Sequence, residues 1–311
     1  MARRPTSEAS EEQLELFEAN LRDGVSAKVD LASLEHPLFS ISRQPLKTVR
    51  VYAMGRDCEI TIVPSSAGAP TIEDKDILVY CASQLRAALN SGLRVSPVVH
   101  VNGYDLLRVI GRDVGGRDYK RLRGALRRLR GTSIETRLMT GGVRQESGFG
   151  LIEAWQLIEQ PTAHAPRLKI KLSDWLFRAI VAGELLTVEP IYFTLQGLQK
   201  RLYEILRKHL GGQTSWKIGL EKLREKCGSQ SPPRRFKFEI RRILDRAEKN
   251  RVENSADAFS DWLVILHGET LCAYSNDDDG RIARAEDARK YLRSSRPVTA
   301  PATTAVAEAS A

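Results

Sequence analysis

Cysteine is scarce in this 311-residue chain: Cys58, Cys81, Cys227 and Cys272 lie far apart, with no CxxC pair and no Cys/His cluster. That spacing excludes a zinc site and a disulfide framework, and the four thiols are expected to be small buried core residues. Aromatic residues make up only 6% of the chain, and no apolar run approaches the roughly 18 residues that a membrane span needs. His36, His100, His164, His209 and His267 are isolated. The His-hydrophobic-His metal motif that a nicking enzyme pairs with a nucleophilic tyrosine is therefore missing, and Tyr192 and Tyr203 are expected as helix-flanking or core residues. There is no GxxxxGK[ST] loop to cradle a nucleotide. Asp277, Asp279, Gly280, Ile282 and Glu286 have part of a calcium-loop spacing, but Ser275 holds the first ligand position and a strand precedes it, so an acidic turn is expected instead. The chain is expected to be no enzyme and to need no metal or cofactor. Arg3 and Arg4 are followed by Glu8, Glu11 and Glu12 rather than by an apolar stretch, which argues against a secretory leader and for the cytoplasm.

Positive charge is what the chain has in excess: 48 Lys and Arg against 39 Asp and Glu, a net charge of +9. The excess is concentrated in two places. From Arg112 to Arg130, eight basic residues face only Asp113 and Asp118; from Lys222 to Arg251, eleven face Glu225, Glu239, Asp245 and Glu248. Two basic segments about a hundred residues apart suggest two domains that each present a cationic face to a polyanion.

Periodicity and turn residues divide the chain. Val49–Ala53 and Cys58–Val63 form a hairpin around Gly55, Arg56 and Asp57. Thr71-Ile-Glu-Asp-Lys-Asp begins a long helix, with Ile77, Leu78, Cys81, Leu85, Ala88 and Leu89 on one face and Gly92 as its stop. Val95–Val101 is a strand, Asn102 caps a helix to Ile110, and Arg117–Arg130 is a third helix. Two β-type runs follow, Thr132–Met139 and Phe149–Ile158, joined by a polar loop over 140–148. Pro161–Pro166 reads as a linker, followed by the strand Leu168–Leu172 and a short helix capped by Ser173 or Asp174. The second half repeats the order: helix Leu195–Leu210, strand Trp216–Ile218, helix Leu220–Cys227, a helix opened by Ser231-Pro-Pro, and the hairpin Trp262–His267 with Thr270–Tyr274. The expected fold is α+β, two winged-helix domains in tandem. The boundaries are a mobile segment 1–30, domains 31–160 and 161–275, and an acidic turn, short helix and disordered Ala/Thr/Pro tail over 276–311.

At about 100° per residue, Tyr119, Leu122, Ala125, Leu126 and Leu129 share one face of the first basic helix. Arg117, Lys120, Arg121, Arg123, Arg127, Arg128 and Arg130 fill the rest, with Arg112 in the preceding turn. In the second, Phe236, Ile240, Ile243, Leu244 and Ala247 face inward, Arg234, Arg235, Lys237, Arg241, Arg242 and Arg246 face away, and Phe238 alone sits on the wrong side. An ordinary solvated helix mixes charge signs for i,i+4 pairing, whereas Glu and Asp are nearly absent from the exposed arcs here. The preponderance of Arg favours bidentate contacts to phosphate and guanine. The residues nearest each N-terminus, Arg117, Lys120, Arg121, Arg234, Arg235 and Lys237, suit base edges, and Arg127, Arg128 and Arg130 suit phosphates. Arg137 and Arg144 in the wing either reach the backbone or minor groove or lie on a solvated hairpin tip.

The blocks EEQLELFEANL, HPLFSISRQP, DILVYCASQL, GYDLLRVIGRDVGGRDYKRLRGALRRLRGTSIETRL, LSDWLFRAIVAGELLTVEPIYFTLQGLQKRLYEILRKHLGG and SWKIGLEKLREKCGS, in this order from about Glu11 to Tyr274, resemble the plasmid replication initiator protein A family of bacteria. The resemblance implies a protein that binds repeated sites on double-stranded DNA in a plasmid origin, helps open the adjacent duplex and brings in the host initiator protein and replicative helicase. It also implies tandem winged-helix domains, with homodimers repressing the gene and monomers starting replication, and it carries DNA contact onto Arg117, Lys120, Arg121 and Arg127. The competing class is a winged-helix transcriptional repressor with no replication role, which would use the same helices.

Overall fold

The computed structural model describes residues 27–53, 58–140, 143–159, 165–253 and 255–294. It opens with a short strand, β1 (Ala27–Asp30), whose last residue caps helix α1 (Leu31–Glu35) by accepting the Ser33 amide at 2.8 Å. The hairpin β2 (Arg50–Ala53) and β3 (Cys58–Val63) follows, then α2 (Lys75–Asn90). The run Ile77–Ala82 is apolar on every side of a helix, a pattern that is stable only when the helix is surrounded. Accordingly α2 is buried without a break from Lys75 to Leu85, and it contributes Ile77, Leu78, Cys81 and Leu85 to one hydrophobic core and Val79 to another.

Strand β4 (Val98–Asn102) leads into α3 (Gly103–Val109), capped by Asn102, whose side chain accepts the Tyr104 amide at 2.9 Å. Only glycine fits at position 103, where the amide donates to the Pro166 carbonyl at 2.9 Å and a Cβ would lie 2.8 Å from that oxygen. A turn at Gly111, with φ of 69°, ends α3 and sets the entry to α4 (Gly116–Gly131). Strands β5 (Ser133–Thr140), β6 (Val143–Phe149), β7 (Ile152–Ile158) and β8 (Arg167–Leu172) and helix α5 (Asp174–Ala182) complete this part. Its strands form two antiparallel sheets, ordered β2-β3-β5-β6 and β4-β8-β7.

The second part starts at β9 (Leu185–Val188), which pairs with β1, and a 3₁₀ turn over Pro190–Thr194. Then come α6 (Gly197–Leu210), β10 (Ser215–Gly219), α7 (Leu220–Lys226), α8 (Pro233–Val252), β11 (Trp262–His267), β12 (Thr270–Ser275) and α9 (Asp278–Ser294). Its sheet is ordered β10-β12-β11. Helix α9 is held to it by the Tyr274 hydroxyl, 2.9 Å from Asp287 Oδ2, and by Lys217 at 2.6 Å from the same oxygen.

Four sequence expectations change. The polar stretch after Thr140 is the edge strand β6, with residues 141 and 142 outside the described chain; Glu146, Ser147 and Gly148 are exposed on both faces of the strand, so this run has no alternating hydrophobic signal. The strand and helix expected to open the second domain belong to the first core, since β8 pairs with both β4 and β7 and Leu168, Ile170, Leu172, Leu176 and Ile180 pack there. The crossing between parts therefore lies near Gly183 rather than at residue 160. Residues 27–30, placed in a mobile N-terminal segment, form the buried strand β1, whose partner β9 is too distant in sequence to be read from a four-residue run. The helix after the acidic turn begins at Asp278, earlier than the expected Ile282. The remaining expected mobile ends, 1–26 and 295–311, and the greater part of the linker Pro161–Pro166 lie outside the described residues.

The two parts meet through buried ions. Glu204 on α6 accepts Lys75 Nζ at 2.6 Å, the Tyr192 hydroxyl at 2.7 Å and Arg201 Nη1 at 3.0 Å. Lys200 Nζ lies 2.5 Å from Asp76 Oδ1 and 4.1 Å from the centre of the Tyr192 ring. Burial pushes the Glu204 carboxyl up, but Lys75 and Arg201 outweigh it and hold the group below the ordinary carboxylate range. Removing one member would strand the others without solvent, so Glu204→Leu should cost about 3–5 kcal/mol in chemical denaturation.

Glu35 supplies a partly exposed, pH-dependent contact to Lys208 of α6 and Lys226 of α7. Burial would raise its carboxyl, yet hydrogen bonds from Lys208 and Lys226 bring it down from 4.5 to about 2. A carboxyl depressed in the folded state contributes stability that is fully present above its unfolded value and lost as pH falls through its folded one. The melting-temperature difference between the parent and Glu35→Gln should hold above pH 4.5 and shrink toward pH 2, as read by thermal denaturation across that window.

Candidate nucleic-acid interface

Helix α4 starts at Gly115 without a side-chain cap and carries Asp118 in its first turn and Arg128 and Arg130 in its last, an arrangement that complements the helix dipole. Leu122, Ala125, Leu126 and Leu129 are fully buried and fix the helix phase. Arg117, Lys120, Arg121, Arg127 and Arg130 are then exposed together. Arg121 donates to Asp118 at 3.1 Å but is still 57% exposed, while Arg117, Lys120, Arg127 and Arg130 have no carboxylate partner among the described residues.

Three other basic residues of the segment have structural work. Arg128 is only 16% exposed and forms a two-point pair with Asp74, its Nε 2.7 Å from Oδ2 and its Nη2 2.8 Å from Oδ1. Arg112 donates to the Glu73 carbonyl at 2.6 Å. Arg123 is half-buried and paired with Glu159. In the sheet, Arg137 lies between Glu59 at 3.4 Å and Glu146 at 3.3 Å. Arg144 stands on β6 opposite Met139, its side chain outside the described residues.

Helix α8 repeats the arrangement. Phe236, Ile240 and Ala247 are buried, while Arg234, Arg235, Arg241, Arg242 and Arg246 are exposed. Arg235 pairs with Glu239 at 3.0 Å and Lys237 with Glu269 in the β11–β12 turn; Arg234 and Arg241 meet no carboxylate among the described residues. Phe238 is 59% exposed in the middle of this face, and Arg242 Cζ lies 5.9 Å from its ring centre. One flank of α8 also borders an open cleft of about 680 Å³, where Arg235, Arg242 and Arg246 face Ser42 and Arg43. Arg43 was not singled out from the sequence, although it lies within the HPLFSISRQP block; nothing in one sequence places that block beside α8.

Cys81, Cys227 and Cys272 are buried and outside any disulfide, and burial pushes Cys81 and Cys227 up to about 12, so neither of these two is a nucleophile at neutral pH. The exposed chemistry of both helices is cationic hydrogen-bond donation.

The sequence profile of the family described as replication initiator protein A matches residues 28–249. The chain belongs to that family. A protein of Wigglesworthia glossinidia brevipalpis described as "Putative replication protein" is 34% identical over 224 residues, covering 70% of this chain and 81% of the relative. Among solved structures, this initiator-family chain is similar to a crystal structure of domains 2 and 3 of RctB, with a TM-score of 0.56 at 14% identity over 77% of this chain and 95% of that one. A second RctB domain 2–3 structure gives a TM-score of 0.52 at 14% identity, covering 79% and 97%. At that identity the likeness is one of α+β fold. Among the described residues of this family member, no helix is long and apolar enough to cross a membrane.

The geometry separates neighbouring arginines by role. Arg127→Ala should leave thermal stability within about 0.5 kcal/mol of the parent, as at an ordinary surface site. Arg128→Ala, which leaves the Asp74 carboxylate without its partner, should cost about 1–3 kcal/mol. Leu126→Ala should cost about 2–5 kcal/mol as a cavity in the first core. Urea denaturation of the three variants reads all of these values, and an equal effect of Arg127 and Arg128 would contradict the assignment.

Proposed function

We propose that this replication initiator binds repeated sequences in a plasmid origin on double-stranded DNA through two winged-helix units, with α4 and α8 as the recognition helices. The observation that carries this reading is the pair of exposed Arg-rich faces on α4 and α8, each helix preceded by a short helix and followed by β-strands. Binding energy rather than nucleotide hydrolysis then drives local duplex opening, and the bound protein recruits the host initiator protein and replicative helicase. Dimers act on the chain's own promoter and monomers act at the origin. The chain works by binding and not by catalysis.

In this reading Arg117, Lys120 and Arg121 approach base edges, with Arg127 and Arg130 on phosphates. Arg128 and Arg112 act one step back, by fixing the helix and its preceding turn. Tiled fragments of the replicon carrying this gene, in excess unrelated DNA at about 0.15 M salt, provide the test, because non-specific ionic binding is much reduced there. The expected result is selective binding to a fragment with several direct repeats, weakened in Arg121→Ala and Arg127→Ala, with a salt slope about one unit shallower where a phosphate contact is lost. Binding confined to the gene's promoter would favour a repressor, and unchanged origin affinity in both variants would remove α4 as the reading helix.

A further inference from the structure

Phe238 is the sixth residue of α8 and lies on the side of the helix opposite its core. At about 100° per residue, Arg234, Arg235, Arg241 and Arg242 all fall within about 60° of it, with Asp245 between them, whereas Phe236, Ile240 and Ala247 lie about 160–200° away. Among the described residues, Phe238 and Tyr104 are the large aromatic side chains left exposed. At 59% exposure the ring packs into neither hydrophobic core. Arg242 Cζ is 5.9 Å from the ring centre, and the adjacent Lys237 pairs with Glu269. Helix α4 has no counterpart, since every exposed position on its outward arc from Arg117 to Arg130 is charged or glycine.

We propose that Phe238 is a specificity-determining residue that packs on the C5-methyl group of a thymine in the major groove, while the surrounding arginines take phosphates and guanine edges. The inference rests on the DNA-binding reading above and deepens it. In the major groove the one apolar feature of a base pair is the thymine methyl, and the residues in the N-terminal half of a recognition helix are those that meet base edges. Phe238 occupies that half. Intercalating wedges enter from the minor groove and kink the duplex, an approach that a helix seated in the major groove does not make. Four arginines about the ring suit a polyanion and would leave a neutral protein partner facing desolvated charge. The two helices then read different features, α4 by hydrogen bonding alone and α8 by hydrogen bonding plus one methyl contact.

The experiment uses the full chain and synthetic duplexes of its origin repeat in which each thymine is replaced singly by deoxyuridine, which removes the methyl and nothing else. Fluorescence anisotropy should show a loss of roughly three- to tenfold at one thymine per α8 site, the range expected for burying one methyl group. Phe238→Ala should bind the parent duplex more weakly by a similar factor and be indifferent to that replacement, with an unchanged melting temperature because the ring packs on no core. Phe238→Leu should restore part of the sensitivity. A parent protein that selects the repeat but ignores every deoxyuridine, or a Phe238→Ala variant as sensitive as the parent, overturns the methyl contact and leaves the origin-binding reading intact. A parent protein that fails to select the repeat overturns both.

Discussion

Four consecutive charged residues at the start of α2, Glu73 to Asp76, hold the rest of the structure in register. Three of them reach α6 and one reaches α4. The Glu73 carboxylate accepts the first amide of α6, at Gly197, 2.9 Å away, and its carbonyl takes Arg112. Asp74 takes Arg128 of α4, Lys75 takes Glu204 of α6, and Asp76 takes Lys200 of α6. The candidate recognition helix of the first part and the central helix of the second are thus referred to the same turn of chain. Ion pairs buried this deeply are no more stabilising than well-packed apolar residues would be, because desolvation offsets much of their attraction. Their effect is discrimination: a wrong relative placement of the parts would bury unmatched charges, whereas an apolar interface would tolerate sliding.

That arrangement explains why arginines adjacent in sequence have opposite fates. On α4 the positions that face α2 and those that face solvent are separated by one residue, so Arg127 is exposed and Arg128 is paired with Asp74. The guanidinium suits both roles, since its planar fork matches a carboxylate inside the protein as well as it matches a phosphate outside. Composition cannot separate the two uses. Only the identity of the facing residue can, and for Arg128 that residue lies 54 positions earlier.

Much of the local structure was legible because its causes are local. The Asn102 cap, the glycine stop of α2, the proline opening of α8 and the β11–β12 hairpin all stand where sequence placed them, since each depends on a few neighbouring residues. The phases of α4 and α8, and with them the exposed Arg faces and the outward Phe238, were legible for the same reason. What was not legible is non-local. Pairing of β1 with β9 and the inclusion of β8 in the first sheet are decided by partners far along the chain, and the Glu73–Asp76 string reads as an ordinary acidic helix start until its partners are known. The cleft beside α8 belongs to the same class, because Arg43 reaches it only through the packing of the two parts.

The buried latch also bears on how an initiator of this kind would deform DNA. Two binding units on a flexible tether accommodate a range of site spacings, and the tether absorbs any mismatch as entropy. Here α2 and α6 are joined by the pairs Lys75–Glu204 and Asp76–Lys200, both almost fully buried, so bringing the units to another spacing means exposing or stranding those charges. In the proposed function the mismatch would fall on the softer partner. At flexible pyrimidine–purine steps the cost of bending a site of a few helical turns falls toward the low end of about 1–6 kcal/mol, below the roughly 3–5 kcal/mol of stranding either of the two buried pairs. With both cationic faces engaged as proposed, such a protein would convert binding energy into strain in the duplex between them. That strain would be a physical route to the proposed local opening that needs no GxxxxGK[ST] loop, a pattern this sequence lacks.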